Sequence, residues 1–399
     1  MAEIKPEIET FAKIKVVGVG GSGGSAVNRM IKSQIKGVEF LAINTDVQAL
    51  HQSLANIKLH IGKMTTRGLG AGMDPEVGAK AAEENQAEIR ELLKGADMVF
   101  ITCGLGGGTG TGAAPVVANL AKEAGALTVA VVTKPFEFEG RQRSEIAERG
   151  FNSLRDRVDA IVTIPNDRVL QIIDKKTSVL DAFKICDDVL KQGVQGIAEI
   201  ISIPAMVNVD FADVKTIMRD TGSTLMGIGS GTGENRAVDA AKAAITSPLL
   251  ELSIEGARGI LFTISGGPDL GMHEINEAAK VITQAADANA KVIFGVTIDE
   301  DMKDEVKITV VATGFAEREI RKMSESLNSN TRPSVNAPVY APAEFIERPV
   351  APITPPPVSS NPITRIAKKV AKKPMIEEMP VSGGEDDLEI PAFIRKKMK

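Results

Sequence analysis

The chain has no tryptophan, one tyrosine and only 4% aromatic residues, so aliphatic side chains have to build its core. It has two cysteines, Cys103 and Cys186, and three histidines, and their spacing fits neither a disulfide framework nor a metal site. This scarcity is typical of a protein from a reducing compartment, and it disfavours a histidine-based triad. A net charge of −5 also lacks the basic excess expected of a nucleic-acid-binding protein.

Long apolar runs are also missing. A membrane-spanning helix needs about 20 consecutive apolar residues, and no apolar run in the sequence is that long. Residues 1–13 lack the apolar segment of a signal peptide. We therefore expect a cytoplasmic protein with no membrane span. A Walker sequence, G-x-x-x-x-G-K-[ST], does not occur either. Any phosphate would have to be bound without the lysine of that motif.

What the chain has in quantity is glycine, concentrated above all in residues 103–112 (CGLGGGTGTG). An apolar, strand-like run over 96–102 precedes this segment, and a helical pattern over 113–121 follows it. Such a strand–loop–helix unit exposes backbone N–H groups and the positive end of a helix dipole, which together attract phosphate. The alternative is a flexible linker, but linkers are not usually held between a core strand and a core helix.

A second glycine cluster follows the first predicted strand. The motif G-x-G-x-x-G is satisfied by Gly18, Gly20 and Gly23. Asp46 follows the next strand, about 20 residues further along the chain, where dinucleotide enzymes place the acid that binds the ribose. These residues support an NAD- or flavin-dependent oxidoreductase as the alternative function. Asp46 fits a helix N-cap equally well. The second glycine segment, and the lack of a well-placed histidine for hydride transfer, argue against the oxidoreductase.

Strands and helices alternate along the first 170 residues. This pattern predicts an α/β fold with a Rossmann-like parallel sheet covered on both faces. Further strands are predicted at 126–133 and 160–164, and helices at 75–93 and 141–157. Ligands bind at the carboxyl ends of parallel strands. Five strand ends would therefore share one edge, carrying residues 20–25, Asp46, 104–112, Glu139 and Asn166.

A long helical pattern over 178–202 follows, and then a second, smaller α/β unit. In that unit we expect helices at 213–218, 234–246 and 272–286, with strands at 259–265, 290–297 and 306–312. The predicted domains are a flexible N-terminus (1–12), an α/β domain with the glycine-rich edge (13–177), a central helix (178–203), a smaller C-terminal α/β domain (204–320), a linker (321–385) and a short tail (386–399).

The linker and tail are distinguished by composition. No glycine occurs between residues 315 and 382, whereas 11 of the 20 prolines lie between Pro333 and Pro380. This composition predicts a disordered linker over 321–385. The last residues, 386–399, carry a small apolar cluster, which is typical of a short docking motif. The alternative is a tail without a function. The apolar residues of the cluster are Leu388, Ile390, Phe393 and Ile394.

Residues 106–112 (GGGTGTG) resemble the signature loop of the tubulin/FtsZ family of GTPases. The segment 208–214 (NVDFADV) and the tail over 388–397 are similar to the FtsZ branch of that family, and the resemblance covers residues 13–315 and the tail. It implies a cytoplasmic GTPase that binds GTP or GDP with Mg²⁺ and polymerises head to tail. Residues 13–177 would be its GTP-binding domain, residues 204–320 its GTPase-activating domain, and residues 386–399 its partner-binding tail. The filaments would form the division (Z) ring at midcell, on the inner face of the membrane. The tail would bind a membrane anchor such as FtsA, and other division proteins.

The resemblance also implies roles for individual residues. The phosphates would contact Gly21, Ser22, Gly23, Gly24, Ser25, Gly108, Thr109 and Gly110. Glu139 and Arg143 would reach the ribose and phosphate side, and Asn166, Phe183 and Asp187 the guanine. An ionised Asp187 could only accept hydrogen bonds.

The catalytic residues implied by the resemblance come from the acidic segment of the next subunit. They are Asp210 and Asp213, which would position the attacking water, and Asn208. From the spacing alone, the two aspartates fit a helix N-cap with an acidic first turn equally well.

Overall fold

The computed structural model describes residues 12–170, 173, 177–202, 209–247, 254–300 and 302–315. Asn208, the linker over 321–385 and the tail over 386–399 lie outside the described residues, as do residues 1–11. Their predicted roles therefore stay predictions.

The strands of the described residues form one continuous sheet in the order β3-β2-β1-β4-β5-β6-β7-β10-β8-β9. They are β1 (Ile14–Val19), β2 (Val38–Asn44), β3 (Ile57–His60), β4 (Met98–Gly104), β5 (Leu127–Lys134), β6 (Ala160–Pro165), β7 (Gly222–Thr232), β8 (Gly259–Gly266), β9 (Lys291–Ile298) and β10 (Glu305–Thr313). All pairs from β3 through β6 are parallel, which confirms the predicted sheet.

Helices cover both faces of this sheet. In chain order they are α1 (Gly20–Lys32), α2 (Val47–His51), α3 (Lys63–Thr66), α4 (Pro75–Glu84), α5 (Gln86–Leu93), α6 (Thr109–Glu123), α7 (Arg141–Arg155), α8 (Asn166–Val169), α9 (Val179–Ser202), α10 (Phe211–Met218), α11 (Arg236–Ile245) and α12 (Met272–Gln284). A 3-10 turn, Glu137–Glu139, precedes α7. The long helix predicted over 178–202 is confirmed as α9.

The core is aliphatic, as the composition predicts. On one face of β1–β6, a buried cluster of Val, Ile, Leu, Ala and Met joins the sheet to α1, α9 and α10. On the other face, a second buried cluster joins it to α4, α5, α6 and α7. A third cluster lies between α11, α12 and the strands β8 and β10.

The glycine segment differs from the prediction in one respect, because its second half is helical. α6 begins at Thr109 rather than at residue 113, so Pro115 lies inside the helix and not in its first turn. Gly112 explains how this is possible: a Cβ there would lie 1.9 Å from the carbonyl oxygen of Pro75. The glycine therefore permits close packing of α6 against α4.

The helix predicted over 75–93 is two helices, α4 and α5. Asn85 interrupts them with φ −114° and ψ 25°, outside the helical region. Its side chain accepts a hydrogen bond from Gly62 N at 2.9 Å and donates one to Glu88 at 3.2 Å. Asparagine readily makes such local contacts at the expense of a regular helix.

Strand β7 was not predicted, because its four glycines are typical of turns. A Cβ at Gly229 would lie 2.2 Å from the carbonyl oxygen of Ala240, and one at Gly231 would lie 2.1 Å from that of Arg236. The glycines thus let α11 pack directly on the strand. β7 pairs in parallel with β6 over only three residues, 222–224. β10 runs antiparallel between β7 and β8, so the second unit has a mixed sheet.

Candidate functional site

A cavity of about 410 Å³ lies at the carboxyl edge of the sheet, which is within the usual range for a small-molecule site. Residues that follow β1, β2, β4, β5 and β6 all contribute to its walls, as the alternating pattern predicts. The N-terminal part of α9 closes one side. Of the predicted nucleotide-binding residues, those that line the cavity are Gly21, Ser22, Gly108, Thr109, Gly110, Glu139, Arg143, Asn166, Phe183 and Asp187.

Two helix N-termini supply the positive potential of the cavity. α1 begins at Gly20 and α6 at Thr109, and neither helix has an acidic residue in its first turn. Gly21 and Gly107 line the cavity, and a Cβ at either position would meet nothing within 4 Å. Backbone amides there are open to a ligand. This arrangement fits an anionic phosphate chain without a lysine.

The loops around the cavity are fixed by specific hydrogen bonds. Gly104 N donates to Ser22 Oγ at 2.9 Å, which joins β4 to α1. Thr45 and Thr109 share a buried hydroxyl–hydroxyl contact of 2.7 Å, which joins β2 to α6. Gly106 N donates to the hydroxyl of Thr111 at 2.9 Å. The amides are thus held in place before a ligand binds, which reduces the ordering cost of binding.

The carboxylates of the cavity walls each have a partner. Asp46 caps α2 and accepts from Gln48 N at 2.8 Å and Ala49 N at 3.2 Å, so the helix-cap interpretation of Asp46 is confirmed. Glu139 pairs with the guanidinium of Arg143 and accepts from Phe136 N at 3.0 Å.

The third carboxylate, Asp187, is held less favourably. It lies 3.6 Å from Arg29 Nε, and its side chain is 20% exposed. Burial raises the pKa of Asp187 to about 6, although the charge of Arg29 acts in the opposite direction. The carboxyl group therefore changes its charge close to neutral pH.

The end of the cavity formed by α8 and α9 is suited to a flat, polar ring. Phe183 is 42% exposed and packs edge-to-face against buried Phe136, with the ring centroids 5.3 Å apart. Asn166 is buried, and its Oδ1 has no hydrogen-bond partner among the described residues. A buried acceptor without a partner is costly unless a ligand or water binds it. This end therefore offers a stacking face, an amide and a carboxylate.

Three of the predicted phosphate contacts do not line the cavity. Gly24 is half-buried and Ser25 is exposed, and both lie on α1 beyond its first turn. A Cβ at Gly23 would lie 2.3 Å from the carbonyl oxygen of Thr102, so this glycine allows α1 to pack closely on β4. Contacts of Gly23, Gly24 and Ser25 with a phosphate stay predictions.

One wall of the cavity was not predicted from the sequence. Gly70, Ala71 and Gly72 belong to a loop that was predicted without a role, and Gly108 N donates to the carbonyl of Gly72 at 2.9 Å. Three glycines within residues 68–72 were the available signal. Other lining residues that were not predicted are Asn44, Ala49, Thr133, Pro135, Cys186 and Leu190.

The acidic pair lies elsewhere. Asp210 caps α10 and accepts from Ala212 N at 3.2 Å, and Asp213 lies in the first turn of the same helix. Both are exposed, and neither lines the cavity. The helix-cap interpretation is therefore confirmed for Asp210. It does not exclude a second role, because only Oδ1 of Asp210 takes part in the cap and both aspartates are exposed.

The topology separates this pair from the cavity. α9 begins beside the cavity and ends at the opposite edge of the sheet, where the hydroxyl of Ser202 lies 3.5 Å from the carbonyl of Lys36, just before β2. α10 ends at the same amino edge, because Thr221 N donates to the carbonyl of Asp159, just before β6, at 2.8 Å.

The two thiols are not candidates for catalysis. Burial raises the pKa of both Cys103 and Cys186 to about 12, which keeps them protonated at neutral pH. Within the part of the chain that is described, no group of three or more His, Cys, Asp or Glu residues could hold a metal ion. None of the described helices has both the length and the apolar character needed to cross a membrane.

Comparisons with known proteins agree on one family. Residues 13–174 match the profile "Tubulin/FtsZ family, GTPase domain", and residues 222–316 match "FtsZ family, C-terminal domain". Among solved structures, an empty FtsZ dimer from M. jannaschii is 45% identical, covers 77% of this chain and 89% of its own, and gives a TM-score of 0.74. A GTPγS-bound protofilament of CetZ2 from Haloferax volcanii is 22% identical, covers 80% of this chain and 98% of its own, and shares the fold with a TM-score of 0.67. The chain belongs to the FtsZ family of tubulin-like, cytoskeletal GTPases, and it binds guanine nucleotide.

Proposed function

We propose that this chain polymerises head to tail, and that GTP bound in the cavity of one subunit is hydrolysed only when Asp210 and Asp213 of the next subunit reach it. The partnering of the cavity carboxylates carries this proposal. Asp46, Glu139 and Asp187 each already hold a structural contact with backbone amides or arginine, so we assign the orientation of the attacking water to the exposed acidic pair.

The exposed aspartates of the acidic pair belong to the start of α10, at the opposite edge of the sheet. One chain therefore has a phosphate cradle at one edge and an acidic pair at the other. Stacking a second copy in the same orientation would bring them together. A contact between two different faces does not close on itself, so it produces an open filament.

The rim of the cavity supports such a contact. Leu69 and Phe138 are 76% and 66% exposed, and each directly precedes a residue that lines the cavity. Exposed large apolar side chains beside a binding site are typical of a protein interface. The chemistry of the rim thus fits coverage by another subunit.

Mg²⁺ is part of the proposal as a companion of GTP. Because the described residues contain no cluster of metal ligands, the ion would be held mainly by phosphate oxygens and water, as is usual for this ion. Bound there, it would neutralise phosphate charge. The amides of Gly21 and Gly107, which border open space, would hold the phosphates in position.

Membership of the FtsZ family supports a cellular role. We propose that the filaments form the division ring at midcell, on the inner face of the membrane. Residues 386–399 would bind a membrane anchor such as FtsA, and other division proteins.

The decisive experiment measures GTP turnover per chain against protein concentration. We expect turnover to rise steeply above a threshold, together with light scattering, because single chains hold only half of the catalytic site. A specific activity that stays flat from dilute to concentrated protein would contradict the proposal.

Asp213→Ala tests the acidic pair directly. The variant should bind GTP with unchanged affinity, because its cavity is intact. It should lose nearly all hydrolysis, because the carboxylate that α10 presents to the next subunit is missing. Asp239→Ala is the matched control, since Asp239 is an exposed acid in the first turn of α11. Equal turnover in the two variants would leave Asp213 with a role in helix stability only.

A further inference from the structure

α6 connects the cavity with the opposite edge of the sheet. Its first residue, Thr109, lines the cavity, and Lys122 lies in its last turn, about 20 Å away along the helix axis. Eleven of the fifteen α6 residues are buried, so this helix is fixed by its surroundings. Lys122 is thus held at the end of a rigid element.

Lys122 joins two carboxylates from other elements. Its Nζ lies 2.8 Å from Asp220 Oδ1, just after α10, and 3.5 Å from Asp159 Oδ1, just before β6. Asp159 is 3% exposed and also accepts from Thr128 N at 2.8 Å. The hydrogen bond to Asp220 and the charge of Asp159 raise the pKa of Lys122, which keeps the ammonium charged.

The same contacts fix the end of α10. Asp220 has a φ of 53°, in the left-handed region that few non-glycine residues adopt. The next two amides, of Thr221 and Gly222, donate to the carbonyl of Asp159 at 2.8 Å and 3.0 Å. Lys215 of α10 and Arg219, which follows the last residue of α10, line a small cavity together with Lys122 and Asp159. The chain therefore leaves α10 in one defined direction.

We propose that Lys122 is a positioning residue for GTP hydrolysis: it holds the end of α10 through Asp220 and Asp159, and so sets where Asp210 and Asp213 are presented to the neighbouring subunit. α10 has only eight residues, so a change at its C-terminal end also moves its first turn. The inference rests on the proposed function of the acidic pair. The competing explanation is an ion pair that contributes stability alone.

The test uses the full chain with Lys122→Met, which removes the charge and keeps much of the length, and Lys122→Arg, which restores the charge. Arg90→Met is the matched control, because Arg90 pairs with Glu123 at 2.8 Å at the same end of α6 but has no hydrogen bond or ion pair with the described residues of α10. For each variant, we would measure GTP affinity of the dilute chain, the amount of polymer, and turnover per polymerised chain at saturating GTP.

For Lys122→Met, we expect a GTP affinity within about twofold of the parent and a turnover per polymerised chain about tenfold lower, because small displacements of catalytic groups have effects of this size. Lys122→Arg should recover most of the turnover, and Arg90→Met should match the parent. If Lys122→Met does not fold, Asp220→Asn removes only the negative charge of the exposed partner of Lys122. This variant should also have a lower turnover per polymerised chain than the parent.

Two results would overturn the inference: turnover per polymerised chain in Lys122→Met equal to that of Arg90→Met, or no recovery with Lys122→Arg. Asp213→Ala, assayed in parallel, separates this failure from failure of the proposed function. An inactive Asp213→Ala beside a fully active Lys122→Met rejects only the role of Lys122. A fully active Asp213→Ala rejects the proposed role of Asp213 in the shared site.

Discussion

Three aspartates of this molecule, two of them at helix starts, lie in different environments. Asp46 has its Oδ1 bound by two amides of α2, whereas Asp213 is exposed in the first turn of α10. Asp187 is neither a cap nor exposed, and its burial raises its pKa to about 6. Sequence position alone does not separate these three environments, because each depends on which neighbours the fold brings to the carboxyl group.

Replacing Asp187 by asparagine should stabilise the nucleotide-free protein at pH 8. The folded chain keeps the proton of Asp187 up to about pH 6, and the unfolded chain loses it near pH 4, so stability from this group falls as pH rises between these values. Above pH 6 the buried charge costs at most about 3 kcal/mol. Urea denaturation at pH 5 and pH 8 measures the difference, which should be larger at pH 8.

The same substitution should weaken GTP binding by about tenfold or more at pH 8. A carboxylate can accept hydrogen bonds from both N–H donors of a guanine edge, and hydrogen bonds to charged groups are among the stronger ones. GTP affinity of the parent chain should also fall as the pH drops below 6, whereas that of Asp187→Asn should not. Titration calorimetry across this range checks both. An identical pH profile in the two proteins would contradict the predicted guanine contact.

At the level of single residues, the sequence predicted most of the cavity. Glycine, serine and threonine after parallel strands have few structural alternatives once the sheet is recognised, so Gly21, Ser22 and Thr109 were found from pattern and resemblance. Gly70 and Gly72 were not, because nothing local to their loop tells which part of the sheet it crosses. That information lies in a tertiary contact, Gly108 N to the carbonyl of Gly72.

At the level of elements, glycine has opposite effects on prediction. In the N-terminal sheet it marks the loops correctly. In β7 the glycines prevented the prediction of a strand of eleven residues. Gly229 and Gly231 allow close packing against α11 and do not form a turn. In α6 glycine hid the first turn of a helix for the same reason, at Gly112. Periodicity predicts an element from its side chains, so it fails where the missing side chain is the structural feature.

Gly229→Ala should therefore destabilise the C-terminal part of the fold by about 2–4 kcal/mol. The new Cβ would lie 2.2 Å from Ala240 O and 2.4 Å from Ala244 N, so α11 would have to move away from β7. Ser230→Ala is the control on the same strand, because Ser230 is exposed, and it should change stability by less than about 0.5 kcal/mol. Urea midpoints measure both, and equal midpoints would rule out the close-packing explanation.

For the molecule as a whole, the direction of the strands decides the layout. Because β1–β6 are parallel, one edge of the sheet collects the ends of all six strands, five of which contribute to the cavity, and the other edge collects their beginnings. α9 runs between these edges and carries the chain from the cavity to the acidic helix. The separation of the two groups is thus a consequence of topology. The boundaries predicted for the separate domains stay a prediction.

Removing residues 386–399 should leave GTP turnover and light scattering unchanged and abolish binding to FtsA. The deleted segment follows a long proline-rich stretch and carries the apolar cluster that would dock. Co-sedimentation with FtsA measures binding, and replacing the cluster (Leu388, Ile390, Phe393 and Ile394) by alanine should have the same effect as the deletion. Retained binding in both variants would contradict the docking role.

The two unlike edges of the sheet also fix an arithmetic for short assemblies. If each catalytic site needs one cavity and one acidic pair from a different chain, a row of n chains contains n − 1 complete sites. A dimer would have one site for two chains, and the terminal cavity of any row would keep its nucleotide intact. The ends of such a row are then chemically distinct, and growth and loss of subunits need not occur at the same end.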